Sequence, residues 1–143
     1  MKRRVLVVDT NIIVAGLISI EKDSPVAVVL DAMLDGRLLY LLSPALLAEY
    51  RAVLLRPKLL PLHNLSVEEI DSILTTLVAN AIWREPRSRI AAPDPGDDHL
   101  WALLMSQPSS ALVTGDRLLL ENAPEHDRVI SAKDCATGYV PAG

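Results

Sequence analysis

Two aspartates follow apolar segments that are typical of buried strands. Asp9 comes directly after residues 5–8, which read Val-Leu-Val-Val, and Asp116 comes one glycine after residues 111–114. Short apolar runs of this kind indicate strands that are buried on both faces, as in the middle of a parallel sheet. Because a carboxylate at the end of such a strand is costly to desolvate, each aspartate is expected to have a bound cation, a hydrogen-bond network or a catalytic role.

Two further acidic residues lie on predicted helices. Glu49 is about 40° from Val53 around its helix, at the edge of the apolar stripe, and Asp97 lies at the start of another helix. Ligands of parallel sheets bind beyond the carboxyl ends of the strands, so we expect the four acids to converge there. Clustered carboxylates repel one another unless cations bridge them, and an all-oxygen set favours Mg²⁺ or Mn²⁺. The chemistry suited to one or two such ions is metal-assisted attack of water on a phosphodiester.

The elements that must position these acids alternate between strands and helices. Ser-Pro pairs at residues 24–25 and 43–44 are typical of helix starts, Ser66 and Glu69 form a capping-box pair, and Gly36 is suited to end a helix. Strands are predicted at residues 5–8, 38–42, 81–83, 111–114 and 128–131, and helices at residues 12–18, 24–36, 43–57, 66–78, 97–108 and 117–123. Residues 59–65 and 84–95 are predicted as connections, and residues 137–143 have no strong pattern. The alternation predicts an α/β fold with a parallel sheet and right-handed crossovers.

Length and composition favour one domain spanning residues 1–143. Half of the 143 residues are hydrophobic and none is Phe, so the core must be built mainly from aliphatic side chains. Such a core suits helices packed on a sheet. The single cysteine, Cys135, excludes an internal disulfide and a zinc site built from cysteines.

Charge and hydropathy limit the possible partners. The formal net charge of −4 argues against binding of nucleic acid through bulk positive charge, although it does not exclude a nuclease with a local acidic site. Lys2, Arg3 and Arg4 precede an apolar stretch, but Asp9 and Asn11 interrupt it, which is not typical of a signal peptide. No apolar run reaches the ~18 residues of a membrane span. A cytoplasmic protein without a membrane association is therefore expected.

Four short motifs together resemble those of PIN-domain ribonucleases. The resemblance is to the bacterial and archaeal branch related to VapC toxins, and it covers about residues 4–131. The motifs are Val-Val-Asp9-Thr10-Asn11, Ser43-Pro44-Ala-Leu-Leu-Ala-Glu49-Tyr, Asp97-Asp98 and Val113-Thr114-Gly115-Asp116. Each motif is weakly specific alone, but the four occur in the expected order and in the expected elements.

The resemblance implies a three-layer α/β/α fold in which helices flank a four- or five-stranded parallel sheet. It also implies a Mg²⁺- or Mn²⁺-dependent endoribonuclease acting on single-stranded RNA, usually a homodimer and the toxin partner of a small antitoxin protein. Carried over by motif, the acidic site and presumed metal ligands are Asp9, Glu49, Asp97 and Asp116, with Asp98 as the alternative to Asp97. Asn11 and Thr114 would orient this site.

Several residues have two interpretations from sequence. Arg51 and Arg56 would meet substrate phosphates near Glu49, or would belong to a solvated helix face. The aspartates at 97 and 98 would bind metal, or would stabilise a helix N-terminus. The three histidines share no metal-ligand spacing and are predicted at the surface; they are His63, His99 and His126. Trp83 and Trp101 are predicted in the core or at an interface.

Two other functions are compatible with parts of the pattern. The chain would be a catalytically inert RNA- or protein-binding regulatory module if its acidic pocket binds no metal. A phosphotransferase of the haloacid dehalogenase type would use Asp9 as its nucleophile. That family requires a second aspartate two residues later, where this chain has Asn11, so the ribonuclease is the leading hypothesis.

Overall fold

The chain alternates short parallel strands with helices. The structure is a computed structural model that describes residues 4–86, 98–121 and 128–141. In these ranges the strands are β1 (Leu6–Val8), β2 (Leu41–Leu42), β3 (Ile82–Trp83), β4 (Ala111–Val113) and β5 (Val129–Ile130). The helices are α1 (Thr10–Ile18), α2 (Pro25–Leu34), α3 (Pro44–Leu54), α4 (Leu60–His63), α5 (Val67–Asn80), α6 (Asp98–Met105), α7 (Arg117–Glu121) and α8 (Ala132–Gly138). The predicted α/β/α class is confirmed.

All the strand pairs described are parallel. The strands β1, β4 and β5 form a three-stranded sheet in that order, and β2 pairs with β3. A single bridge between Leu6 and Tyr40 joins the two sets. The four- or five-stranded sheet predicted from the sequence is therefore a three-stranded sheet beside a two-stranded one. The second ladder is short because Ser43 begins the cap of α3 immediately after β2.

Serine side chains begin four of the helices. Ser24, Ser43 and Ser66 accept hydrogen bonds from backbone N–H groups of the first turns of α2, α3 and α5, as the sequence predicts. Ser66 and Glu69 form the complete capping box, with both bonds at 3.1 Å. Ser131 caps α8 in the same way, where no helix was predicted. Each cap satisfies an N–H group that has no partner within its own helix.

Two glycines shape the packing of α2. Gly36 has φ +73° directly after the helix, and Arg37 N–H bonds back to the Ala32 carbonyl at 2.9 Å, which ends α2 as predicted. Gly16 lies where α1 crosses α2. A Cβ atom at that position would stand 2.9 Å from both the Leu30 Cβ and the Val26 carbonyl oxygen, so this close approach needs glycine.

His63 is buried, so its prediction as a surface residue is wrong. It ends α4, a short helix within residues 59–65, which were predicted as a connection. Its Nε2 lies 2.8 Å from the Leu54 carbonyl, and its Nδ1 accepts the Leu65 N–H at 3.0 Å. The ring thereby satisfies backbone groups at the end of α3 and after α4, which is a structural role that a spacing rule for metal ligands does not detect.

The core is aliphatic, as the composition predicts. Every residue of β1 and β4 is buried, and α6 packs on both strands. Trp101 belongs to this core, whereas Trp83 is 40% exposed and donates its indole N–H to Glu85. The predicted connection at residues 84–95 lies largely outside the described residues. No helix in the described part of the chain is long and apolar enough to cross a membrane.

Arg128 fastens the far end of α6 to the sheet. Its guanidinium is buried just before β5 and donates to the Ser110 carbonyl at 3.0 Å and the Gln107 carbonyl at 2.9 Å. It also donates to the carbonyl of Leu104, in the last turn of the helix. A cation is favourable at this end of a helix because the final carbonyl groups carry partial negative charge.

We expect Arg128→Met to lower the free energy of unfolding by about 2–4 kcal/mol, because three carbonyl groups would lose hydrogen bonds from a buried, charged donor. Urea denaturation measures this change. Lys133→Met, at an exposed position of α8, is the control and should change stability by less than about 0.5 kcal/mol. Equal effects of the two substitutions would contradict the structural role of Arg128.

Candidate active site

Three of the predicted acidic residues line one cleft at the carboxyl ends of β1 and β4. Asp9 follows β1 and caps α1, Asp116 lies two residues after Thr114 at the end of β4, and Glu49 comes from α3. The cleft has a volume of about 660 Å³ and is lined by all three side chains. Segments that are distant in sequence therefore bring three carboxylates to one opening.

Asp9 is the most buried of the three acids, with 6% of its surface exposed. Its Oδ1 accepts the Thr10 N–H at 2.7 Å, and its Oδ2 accepts the Thr114 hydroxyl at 2.7 Å and the Asn11 amide at 3.2 Å. Burial raises the pKa of Asp9, and the charges of Glu49 and Asp116 raise it further, against the lowering effect of the hydrogen bonds. The carboxylate is therefore fixed in orientation by uncharged groups, and its burial and acidic neighbours disfavour its negative charge.

Asn11 and Thr114 connect the ends of the two strands. The Thr114 hydroxyl donates to Asp9 and accepts the Asp116 N–H at 3.0 Å. The side-chain amide oxygen of Asn11, Oδ1, accepts the Gly115 N–H at 3.2 Å. The side chains predicted to orient the site therefore bind both an acidic side chain and the backbone that carries another.

Glu49 is half-buried, in keeping with its predicted position at the edge of the α3 stripe. Its Oε2 accepts the Thr10 hydroxyl, and its Oε1 lies 3.3 Å from Nε2 of His99. The His99 hydrogen bond is the main cause of a lowered Glu49 pKa; the Thr10 hydrogen bond and the charge of Arg56 lower it further, and burial opposes them. Both oxygens of this carboxylate are therefore held by the protein.

His99 is the site residue that the sequence analysis missed. It was predicted at the surface, but only 22% of its side chain is exposed and it contacts Glu49. Its position directly after the acidic doublet, on the first turn of α6, was the available signal. His126 lies outside the described residues.

The acidic doublet is described only in part. Asp97 lies outside the described residues, whereas its alternative, Asp98, is half-buried at the first residue of α6 and next to His99. Within residues 4–86, 98–121 and 128–141, no three histidine, cysteine, aspartate or glutamate side chains are grouped closely enough to hold a metal ion. The three acids therefore share an opening, but they do not form a complete set of metal ligands in the part of the chain that is described.

The two candidate phosphate-binding arginines lie in different places. Arg56 lines the acidic cleft. Arg51 lies outside this cleft, where its Nε and Nη2 donate to the two carboxylate oxygens of Asp71 on α5 at 2.9 and 3.3 Å. The structure therefore brings only Arg56 to the acidic residues.

We expect Thr114→Val to raise the pKa of Asp9 further, because it removes the hydroxyl that stabilises the charged form. It should also lower the free energy of unfolding by about 1–3 kcal/mol, since Asp9 and the Asp116 N–H lose a buried partner. An NMR titration of the Asp9 carboxyl carbon and urea denaturation measure the two effects. Thr114→Ser, which keeps the hydroxyl, should leave the Asp9 pKa near its wild-type value, and an equal rise in both variants would contradict the assigned hydrogen bond.

Comparison with known proteins identifies the family. The sequence model of the PIN domain matches residues 5–118, and no curated protein sequence matches the chain. PIN domains are generally nucleases and typically use divalent metal ions. The match covers β1 through the start of α7 and includes all three acids of the cleft, and on this basis the chain belongs to the PIN domain family.

Proposed function

We propose that this protein is an endoribonuclease that hydrolyses phosphodiester bonds of single-stranded RNA with Mg²⁺ or Mn²⁺. The observation that supports it most directly is the shared cleft of Asp9, Glu49 and Asp116, three carboxylates from three separate segments. Hydrolysis of a phosphodiester at such a site depends on a divalent cation, because carboxylates alone repel the anionic substrate.

The side chains of the cleft suit a hard divalent cation. Their available donors are carboxylate, amide and hydroxyl oxygens, which Mg²⁺ and Mn²⁺ prefer. The raised pKa of Asp9 points the same way, since burial and neighbouring carboxylates disfavour its charge until a cation is present. We assign as ligands of one or two ions Asp9, Glu49, Asp116 and one member of the Asp97/Asp98 doublet.

The hydrogen bonds of the site leave room for this ligation. Each carboxylate oxygen has two lone pairs, so Glu49 can keep its bonds to Thr10 and His99 while it faces the cleft. Asp9 is held on both oxygens by α1 and β4. Acids fixed in this way need little reorganisation during a reaction.

When bound, the cation would supply positive charge to the phosphate and lower the pKa of the attacking water. The protein's own contribution is to hold Asp9 and Asp116 at fixed positions through Thr114, and to hold Glu49 through Thr10 and His99. The two threonine contacts orient Asp9 and Glu49 without neutralising them, because hydroxyl groups are uncharged. His99 differs, because it lowers the pKa of Glu49 through its hydrogen bond and its charge.

Purified wild-type protein should cleave a labelled single-stranded RNA with Mn²⁺ or Mg²⁺ and not with EDTA. Asp116→Asn should lower the rate by roughly 100-fold or more, because a carboxylate of the site is lost. Asp71→Asn is the matched control, since this half-exposed acid lies outside the cleft and the hydrogen bonds of its carboxylate are to Arg51 alone among the described residues. Circular dichroism and thermal unfolding verify the fold, and cleavage by Asp116→Asn at the wild-type rate would contradict the proposal.

Calorimetric titration with Mn²⁺ separates the nuclease from an inert PIN-like module. A nuclease should bind Mn²⁺ with an affinity that falls in Asp116→Asn and is unchanged in Asp71→Asn. Absence of Mn²⁺ binding by the wild-type protein, together with absence of RNA cleavage, would favour the RNA- or protein-binding regulatory module. Parallel assays with single-stranded DNA and double-stranded RNA test the substrate class.

The wider biological role follows from the resemblance of the four motifs to those of VapC-like proteins. We propose a homodimeric cytoplasmic toxin whose partner is a small antitoxin protein. The first check is the reading frame next to the gene, which should encode a small DNA-binding protein.

A further inference from the structure

The cleft continues beyond its acidic end into an aliphatic half. Helix α1 lines it with Val14, Ala15 and Ile18, and helix α3 lines it with Val53. These residues lie one to two turns further along each helix than Asn11 and Glu49, which line the acidic end. The two helices contact each other, so their stripes form a continuous surface from acidic to aliphatic.

A positively charged side chain lies at the far end of the aliphatic half. Arg56 lines the cleft just beyond the end of α3, seven residues after Glu49, a separation of roughly 10 Å at the rise of a helix. Its side chain is exposed and makes no hydrogen bond or ion pair with other residues in the described part of the chain. By contrast, the guanidinium of Arg51 is occupied by Asp71.

The size and lining of the cleft exceed what a metal site alone requires. Its volume of about 660 Å³ lies within the range of small-molecule sites. Aliphatic side chains provide no ligand atoms for a hydrated ion. Their contact with the apolar face of an organic ligand, however, lowers the free energy of its bound state. The surface of the cleft changes from acidic at Glu49 to aliphatic and then to basic at Arg56. A ligand with a phosphate at each end and an apolar face between them matches this order.

We propose that the aliphatic half of the cleft binds one unstacked nucleoside of the RNA, with Arg56 binding the phosphate on its far side. This inference rests on the proposed function, because the phosphate at the acidic end is the one to be cleaved. Arg56 also offsets the repulsion between the RNA and a chain of net charge −4.

The same arrangement explains a requirement for single strands. In a duplex each base is covered by its stacked neighbours about 3.4 Å away, so no face is available to Val14, Ile18 or Val53. A flexible strand can turn one base out and place it on the aliphatic surface. Because aliphatic contacts do not read the hydrogen-bonding edges of a base, this half of the cleft should select for an unstacked base and not for its identity.

Fluorescence anisotropy with Asp116→Asn in EDTA tests binding without cleavage. The probes are a labelled mixed-sequence RNA of 12 nucleotides and an abasic phosphodiester strand of equal length and charge. Arg56→Gln should weaken binding of both probes about threefold or more, and should reduce the slope of log K against log salt by about 0.7, the contribution of one phosphate contact on a single strand. Arg51→Gln is the matched control and should leave affinity and slope unchanged.

Ile18→Ala tests the contact with the base. It should weaken binding of the RNA by roughly fourfold for each CH₂ group that the base buries, and it should not change binding of the abasic strand. Ile20→Ala is the matched control, because Ile20 is the same residue two positions later, is 96% exposed and does not line the cleft. Thermal unfolding verifies that each variant is folded.

Three results would overturn the inference: equal losses with Arg56→Gln and Arg51→Gln, a loss with Ile18→Ala that is the same for both strands, or no loss with Ile18→Ala. Wild-type cleavage with Mn²⁺ is measured separately, so a failure of the nucleoside site is distinguishable from a failure of the proposed function. If the wild type cleaves RNA and these variants bind normally, the function stands and the site is wrong. If the variants behave as expected and the wild type does not cleave, the site binds RNA in an inert protein.

Discussion

The hydrogen bond from the Thr114 hydroxyl to the Asp9 carboxylate holds the rest of the site together. It exists because β1 and β4 pair with Val8 opposite Val113, so the next residues of the two strands also face each other. Side chains alternate between the two faces of a strand, and a slip of one residue would turn Thr114 away from Asp9. The register of two fully buried apolar strands therefore decides where the first acid points, and the packing energy of the core maintains that register.

Glu49, the acid that α3 contributes, is positioned through the core as well. Tyr50, which is fully buried on α3, donates its hydroxyl to the Val8 carbonyl, immediately before Asp9. This bond fixes the helix against the end of β1 and leaves the neighbouring residue, Glu49, at the border of the core. A buried tyrosine needs a hydrogen-bond partner, and here the partner is supplied at the place where it sets the distance between two acids.

The sequence predicts those parts of the site that depend on local pattern. Asp9 and Asp116 are recognisable because each follows a buried strand, and Glu49 because a carboxylate at the edge of an apolar stripe can face a cleft at the border of the core. His99 could not be recognised, since its contact with Glu49 depends on how α6 lies against α3. Arg51 and Arg56 both follow Glu49 closely in sequence, but at 100° per residue Arg51 lies about 200° from Glu49 and Arg56 only about 20°. The structure agrees with this periodicity, because Arg51 pairs with Asp71 on α5 whereas Arg56 lines the cleft. The pairing of β2 with β3 was not predictable either, because the two strands are far apart in sequence. The buried position of His63 was not predictable because its ring bonds to backbone groups.

Electrostatics explains why the acidic and basic side chains of the cleft lie apart from one another. An acidic site that binds a polyanion must reconcile two opposite needs, since the carboxylates that attract a cation also repel the phosphate. A basic residue beside Asp9 would pair with it and compete with the cation. The positive charge instead lies just beyond the end of α3 at Arg56, about two turns from Glu49. Arg56 is close enough to lower the Glu49 pKa through its charge and too far away to form an ion pair with Glu49. The aliphatic segment between the two charges keeps them apart, and it leaves an apolar surface where a nucleic acid has its own apolar part.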